Sequence, residues 1–203
     1  MSAAILLSLF GMAFAASWTP GPNNSMLASS GATYGIRASL PHVMGINLGF
    51  PVMIFLVGIG MGELFHSHPM LQEVLRFVGA AMMLWIAYKI GTAAPPGSPG
   101  KSTRPLLFIE AAGFQWVNPK GWLAAIAVTS QFVTTAQPVQ TSLIVAFAFT
   151  IAGFTSTFAW VSFGQAIGGL LNTPQRLRLF NLAMALILVV FTVALLLGRH
   201  TQA

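Results

Sequence analysis

The sequence predicts an all-α, polytopic membrane protein of six transmembrane helices, built as two inverted three-helix repeats with helices 1 and 4 broken. Three observations carry this prediction. Of the 203 residues, 56% are hydrophobic and only 6% are charged, where a soluble domain carries about 25% charged residues. Such a chain has too little polar surface for water, and lipid is the solvent that makes its composition workable. Six apolar stretches reach the ~20 residues that a span needs. The two halves of the chain also echo each other.

The first apolar stretch covers 3–30 and is interrupted near Pro20. Ala13-Phe14-Ala15 imitates a signal-peptide cleavage site, but no Lys or Arg precedes the apolar run as a leader requires, so residues 3–16 read as the first half of a membrane helix. The second and third stretches cover 40–62 and 70–90. The fourth, 106–132, is interrupted near Pro119, and the fifth and sixth cover 141–164 and 177–198. Between the third and fourth, residues 92–105 collect Pro95, Pro96, Gly97, Pro99 and Gly100 with Lys101 and Arg104. Having nothing apolar to bury, this segment reads as a flexible cytoplasmic linker between a first repeat, 1–91, and a second, 106–203.

The repeat itself is a set of ordered echoes. Trp18-Thr19-Pro20 answers Trp116-Val117-Asn118-Pro119, Gly49-Phe50 answers Gly153-Phe154, His68-Pro69 answers Thr173-Pro174, and Phe77 answers Phe180. The offsets run from 98 residues (Trp18 to Trp116) to 105 (Pro69 to Pro174). Three spans per half is an odd number, so the second copy enters the membrane in the opposite sense, a common plan for secondary transporters. Chance likeness between Gly-rich apolar helices is the competing explanation. Basic residues set the orientation. Six of them (Arg37, Lys89, Lys101, Arg104, Arg176 and Arg178) fall on the side of the linker and two (Arg76 and Arg199) on the other. The excess belongs in the cytoplasm, which places both termini outside it.

Composition also excludes chemistry. Nine Lys and Arg spread over 203 residues make no dense basic patch, so the net charge does not point to nucleic acid. The chain has no Cys, hence no thiol redox chemistry, thiolate metal site or disulfide. Its acids are Glu63, Glu73 and Glu110 alone. No phosphate loop, zinc-binding helix or serine elbow is present, and no cofactor or enzymatic activity is expected. Any transport would therefore run on a gradient.

The chemistry is expected at the two interruptions. Thr19-Pro20-Gly21-Pro22-Asn23-Asn24 places two prolines inside a span, and each removes a backbone donor and clashes with the preceding turn. The carbonyls of residues 14–17 then lose their partners and a new helix N-terminus opens at Asn23. A helix N-terminus attracts an anion such as a carboxylate, and a carbonyl end attracts an ammonium. A zwitterionic amino acid carries both groups. A plain proline kink is the alternative. The second interruption is Asn118-Pro119-Lys120-Gly121, with Gln115 on the same helix face as Asn118. Lys120 lies roughly 14 residues, or about 20 Å, into its span, a depth at which charge is costly and usually functional. It faces a cavity, pairs with an acid or sheds its proton, unless it snorkels to the far interface. The candidate substrate-binding residues are thus Pro20, Gly21, Pro22, Asn23, Asn24, Gln115, Asn118, Pro119 and Lys120.

Glu110, about four residues into its span, is either a proton-coupling carboxylate or a boundary residue among headgroups. His42 and Asn47 are expected to face the bundle, and His42 is the second candidate for proton coupling. Glu63-x-x-His66-x-His68 imitates metal-ligand spacing, but no further carboxylates support it, and no metal site is assigned. Gly45-x-x-x-Gly49 and the Gly58, Gly60, Gly62 series read as surfaces for close helix packing.

Thr19-Pro20-Gly21-Pro22-Asn23, the Gly-rich second span and Asn118-Pro119-Lys120 together resemble the LysE/RhtB family of bacterial amino-acid exporters. The likeness extends over the whole chain in length, span number and motif order, and the paired Asn23-Asn24 is closest to the cysteine and O-acetylserine exporter branch. The resemblance implies an inner-membrane location, gradient-driven efflux of a small amino acid, and allows a homodimer. Export of lysine or arginine would favour a buried acid for the side-chain cation, and Glu110 is the one plausible intramembrane acid, so a neutral substrate is expected. Two alternatives stand beside this reading: a metal or other ion exporter on a similar inverted-repeat plan, and a non-transporting membrane scaffold.

Overall fold

The computed structural model describes residues 1–61, 67–93, 104–171 and 173–197, and all regular structure among them is helical. In order these residues form α1 (Ala3–Trp18), α2 (Pro22–Leu56) with a π-helical continuation (Val57–Met61), and α3 (Pro69–Gly91). There follow α4 (Phe108–Phe114), a 3-10 turn (Gln115–Val117), α5 (Pro119–Phe132), α6 (Pro138–Leu170) and α7 (Pro174–Leu197). Five helices, α2, α3, α5, α6 and α7, begin on a proline. At that position the missing N–H has no intrahelical acceptor to lose, and the fixed φ is already helical. The linker expected at 92–105 falls mostly on residues outside the described ones, as do Glu63 and His66.

α2 is two helices joined at one residue. Gly35 has φ 78 and ψ 170, outside the helical region. The Oγ of Ser30 lies 3.4 Å from His42 Nδ1 and 3.1 Å from Ser39 Oγ. In a straight helix residues 30 and 42 would stand about 18 Å apart along the axis. The chain therefore doubles back at Gly35 into two arms, 22–34 and 36–56. A left-handed φ is open to glycine at little cost. Gln165 of α6 closes the turn by accepting the Ile36 N–H at 2.8 Å.

By length and composition, four helices among the described residues can cross a membrane: Pro22–Gly60, Glu73–Gly91, Pro138–Leu170 and Pro174–Leu197. The first of these includes the doubled-back pair. α1, with 16 residues, is a shorter apolar helix. α4 and α5 have 7 and 14 residues because the chain is interrupted between them. The difference from six predicted spans arises where prolines and Gly35 divide or join the helices.

The polarity of the molecule is inverted. Leu7, Leu123, Leu170 and Leu179 are more than two-thirds exposed, whereas Ser29, Thr33, His42, Asn47, Gln115, Asn118 and Asn181 are buried. Large apolar groups outside and amides inside are what a lipid solvent selects. This is a multi-pass membrane protein. The inner polar groups pair across helices: Ser29 donates to Asn181 Oδ1 at 2.8 Å, and Asn181 donates to Thr33 Oγ1 at 3.0 Å.

α2 and α6 share the most extensive interface. A methyl added at Gly31 would land on the Val161 carbonyl, and one at Gly164 on the Ala28 carbonyl. Small residues let these backbones touch, as packing in lipid requires. Gly45 and Gly49 do the same for the second arm of α2 against Phe108, Ala111 and Ala112 of α4. Two apolar clusters result, one around Met26, Val43, Phe114 and Leu188, the other around Leu9, Met53, Val128 and Phe149.

Candidate functional site

Both interruptions follow from proline stereochemistry. The residue before a proline is pushed out of the α region. Thr19 precedes Pro20 and is extended (ψ 131), Gly21 precedes Pro22 and is extended (φ 178, ψ −173), and Asn118 precedes Pro119 and is extended (φ −80, ψ 109). Helix resumes at Pro22 and at Pro119, so the chain offers a fresh N-terminus at each place.

These two places meet. The Lys120 ammonium donates to the carbonyl of Thr19 and, at 3.4 Å, to that of Pro20. Asn23 Nδ2 donates to Gln115 Oε1 at 2.9 Å, and Gln115 Nε2 returns a bond to Asn23 Oδ1 at 3.2 Å. Gln115 is itself held through its Nε2 donating to Ala111 O at 2.8 Å. A methyl on Gly21 would stand 2.7 Å from Lys120 Cδ and 3.1 Å from its Nζ. Residue 21 therefore has to be glycine for Lys120 to lie where it does, for reasons of space and not of dihedral angle.

Of the carbonyls expected to be free at 14–17, Ala15 O keeps a backbone partner in the Thr19 N–H at 3.1 Å, and Ser17 O is claimed by side chains. Ser17 O accepts from Asn24 Nδ2 at 3.0 Å and from Ser156 Oγ at 2.7 Å. Thr19 O accepts from Asn24 Nδ2 at 3.0 Å and from Lys120. The cation at this carbonyl end is thus the protein's own ammonium. The broken helix does not reserve that end for a ligand.

Beside this junction lies a cavity of about 60 Å³, room for several waters on a measure in which one water needs ~10–15 Å³. The first turns of α2 and α5 wall one side, through Gly21, Asn23 and Asn24 and through Asn118, Lys120 and Gly121. The rest of the lining comes from Asn47 and Phe50 of α2 and from Phe149, Gly153, Ser156 and Thr157 of α6. With proline at the first helical position, the amides of Asn23 and Asn24, and those of Lys120 and Gly121, have no acceptor within their own helix. Two positive helix ends and an ammonium therefore converge on one small space. Among the described residues no carboxylate lines it.

Two buried acceptors among the lining residues have no hydrogen-bond partner: Asn47 Oδ1 and Asn118 Oδ1. Asn118 occupies the capping position of α5, yet its side chain makes no capping bond. Asn47 is oriented by Thr157, whose Oγ1 accepts from Asn47 Nδ2 at 2.8 Å while donating to Phe154 O at 3.3 Å.

Of the residues singled out in the sequence, Gly21, Asn23, Asn24, Asn118 and Lys120 line the cavity. Pro20 contributes a carbonyl, Pro22 and Pro119 start the two helices, and Gln115 supports Asn23 from behind. His42 is buried outside the cavity, with Nδ1 near Ser30 Oγ and Nε2 without a partner. Glu110 is also outside it, held by Arg104 in a two-pronged ion pair at 2.7 and 2.8 Å and accepting the Leu107 N–H at 2.8 Å. Among the described residues no three His or carboxylate groups gather as a metal site would need. The far wall, Phe149, Gly153, Ser156 and Thr157, was not foreseen as part of the site. Its only signal in the sequence is a glycine and a run of hydroxyls inside an apolar stretch.

Comparison with known proteins bears on this geometry. The family described as "LysE type translocator" matches residues 3–199. A cysteine/O-acetylserine efflux protein of Escherichia coli O1:K1 / APEC is 33% identical over 174 residues, covering 84% of this chain and 87% of that one. One of the same name from Salmonella choleraesuis (strain SC-B67) is 38% identical over 116 residues, 57% of this chain and 58% of that one. No solved structure matches the chain.

Proposed function

The chain belongs to the LysE type translocator family, and from that premise we propose that it is a secondary transporter exporting a small neutral amino acid or derivative, of the cysteine, O-acetylserine, threonine or homoserine type, across the inner membrane. It is a transporter and not an enzyme. The observation that carries the proposal is the meeting of two broken helices beside one cavity, with Lys120 bridging them.

Substrate recognition follows from charge. The carboxylate of an amino acid is received by the Lys120 ammonium and the exposed amides of the α2 and α5 first turns. Lys120 leaves the Thr19 and Pro20 carbonyls to meet it. A second cation, as on lysine, would enter a space already positive and free of acids, which supports a neutral substrate.

The six-span plan is part of the same proposal. α1 with the first arm of α2, the second arm with its π segment, α3, α4 with α5, α6, and α7 make six crossings in two inverted halves, 1–91 and 106–203. Support comes from the equivalent positions of the two interruptions, each opening on a proline and each facing the other. The excess of six basic residues over two supports a cytoplasmic linker with both termini on the other side. Proton coupling is assigned to His42, with its unpartnered Nε2, and Glu110 to holding the start of α4. The relatives' names and the absence of clustered ligands among the described residues do not favour an ion exporter. The test is efflux of radiolabelled L-cysteine and O-acetyl-L-serine from proteoliposomes. Efflux of either, lost in Lys120→Ala, supports the reading; efflux of lysine but of no neutral amino acid overturns it.

A further inference from the structure

Two amide oxygens in the cavity wall have no partner, and a buried acceptor left unmade costs about 1–3 kcal/mol. Asn47 and Asn118 are each only 2% exposed, so bulk water does not satisfy them. Their orientation is not arbitrary. The chain of bonds from Asn47 Nδ2 to Thr157 Oγ1 and on to Phe154 O leaves Oδ1 as the free end of the Asn47 amide. That oxygen points toward Gly153, where a methyl would stand 3.0 Å from it. Phe50 and Phe149 close the same region, their rings 5.7 Å apart and edge to face. The first turns of α2 and α5, where Asn118 stands, add an ammonium and backbone amides without a helical acceptor to the same lining.

We infer that Asn47 and Asn118 form an ammonium subsite and that Asn47 determines the transporter's selectivity for substrates with a free, protonated α-amino group. This rests on the exporter reading and adds the second pole of the site to it. Two carbonyl oxygens are the complement of an ammonium, which has donors and no acceptor. The neighbouring aromatic rings attract the same charge. A ligand with both poles aligns with its carboxylate at Lys120 and its ammonium at Asn47. One that lacks the ammonium leaves both oxygens unpaired, and a site with unpaired buried polar groups rejects such an analogue strongly. Gly153 leaves the space the ammonium needs beside Asn47 Oδ1.

The test uses the full chain in proteoliposomes and counterflow of radiolabelled L-cysteine under a thiol-free reductant. N-acetyl-L-cysteine, without an ammonium, and L-cysteine methyl ester, without a carboxylate, serve as competitors. In the wild type, N-acetyl-L-cysteine should compete at least about tenfold more weakly than unlabelled cysteine, the discrimination that one ~1.4 kcal/mol contact provides. Asn47→Leu should bring N-acetyl-L-cysteine and unlabelled cysteine to near equality, because cysteine, like its methyl ester, loses affinity and N-acetyl-L-cysteine does not. Asn47→Asp keeps an acceptor and should restore the preference. A merely structural role would weaken all three compounds alike, and that outcome overturns the inference. Equal discrimination in Asn47→Leu and wild type overturns it too, while leaving the exporter reading intact. No counterflow of cysteine or any other neutral amino acid by the wild type would remove both.

Discussion

A single methyl group at residue 21 should disable the transporter without unfolding it. Gly21 has an extended backbone that alanine adopts freely, so Gly21→Ala strains nothing in the chain. Its Cβ, however, would lie 2.7 Å from Lys120 Cδ, 3.1 Å from Nζ and 3.4 Å from Cε, where carbon atoms prefer about 3.5–4.0 Å. The lysine side chain must shift by about 1 Å, enough to misplace its ammonium from the carbonyls of Thr19 and Pro20 and from an incoming carboxylate. One charge-assisted hydrogen bond is worth about 1.5–3 kcal/mol, so transport at subsaturating substrate should fall about 10- to 150-fold. The assay is O-acetyl-L-serine counterflow in proteoliposomes, with detergent-solubilised protein followed by gel filtration and thermal unfolding to show that the fold survives. A double-mutant cycle sharpens it: in a Lys120→Ala background the added methyl should cost almost nothing, since its target is gone. Wild-type transport by Gly21→Ala would refute the placement of Lys120, and full additivity with Lys120→Ala would refute the route by which the methyl acts.

Three other outcomes are expected. Gly31→Ala drives a methyl onto the Val161 carbonyl and should lower stability by about 1–3 kcal/mol, read as the unfolding midpoint in detergent, whereas Gly113→Ala, with open space around it, should be neutral. Asn24→Asp removes the donor to Ser17 O and Thr19 O and sets a carboxylate against two carbonyls that keep Ser156 and Lys120 as partners; the protein should lose about 1–3 kcal/mol, two hydrogen bonds at ~0.5–1.5 kcal/mol each, and retention of full stability would show those bonds to be dispensable. Glu110→Gln breaks the pair with Arg104 at a cost of about 0.2–1 kcal/mol and should leave proton-driven efflux within about twofold of wild type, well under the tenfold that one ~1.4 kcal/mol contact gives; efflux that becomes indifferent to the pH gradient would instead assign the coupling carboxylate to Glu110.

The site's near wall was legible in the sequence because proline chemistry is local. Pro20, Pro22 and Pro119 dictate extended residues before them and helix starts at or after them, and Lys120 advertises itself by its depth in an apolar run. The far wall was not legible. Gly153, Ser156 and Thr157 join the cavity through contacts spanning more than a hundred positions in the chain, as in the bond from Asn47 to Thr157, and no local pattern encodes such a meeting. Gly35 was equally hidden: it falls between the apolar stretches 3–30 and 40–62 with no local mark of its role, and its positive φ makes the turn. The Ser17 carbonyl was read as unpaired because its partners, Asn24 and Ser156, approach from the next helix and from α6.

The lack of native cysteine gives the most direct test of a wet, substrate-binding cavity between the two interruptions. Ala124 lines that cavity, and its neighbour Leu123 is 72% exposed on the lipid-facing surface. In single-cysteine variants, Ala124→Cys should react with a charged, membrane-impermeant thiol reagent and Leu123→Cys should not. Saturating O-acetyl-L-serine should slow the Ala124→Cys reaction at least about tenfold, the effect of a ligand in large excess over its dissociation constant. A cysteine at 124 that is inert to the charged reagent, or labelled at the same rate with and without the amino acid, would contradict the account.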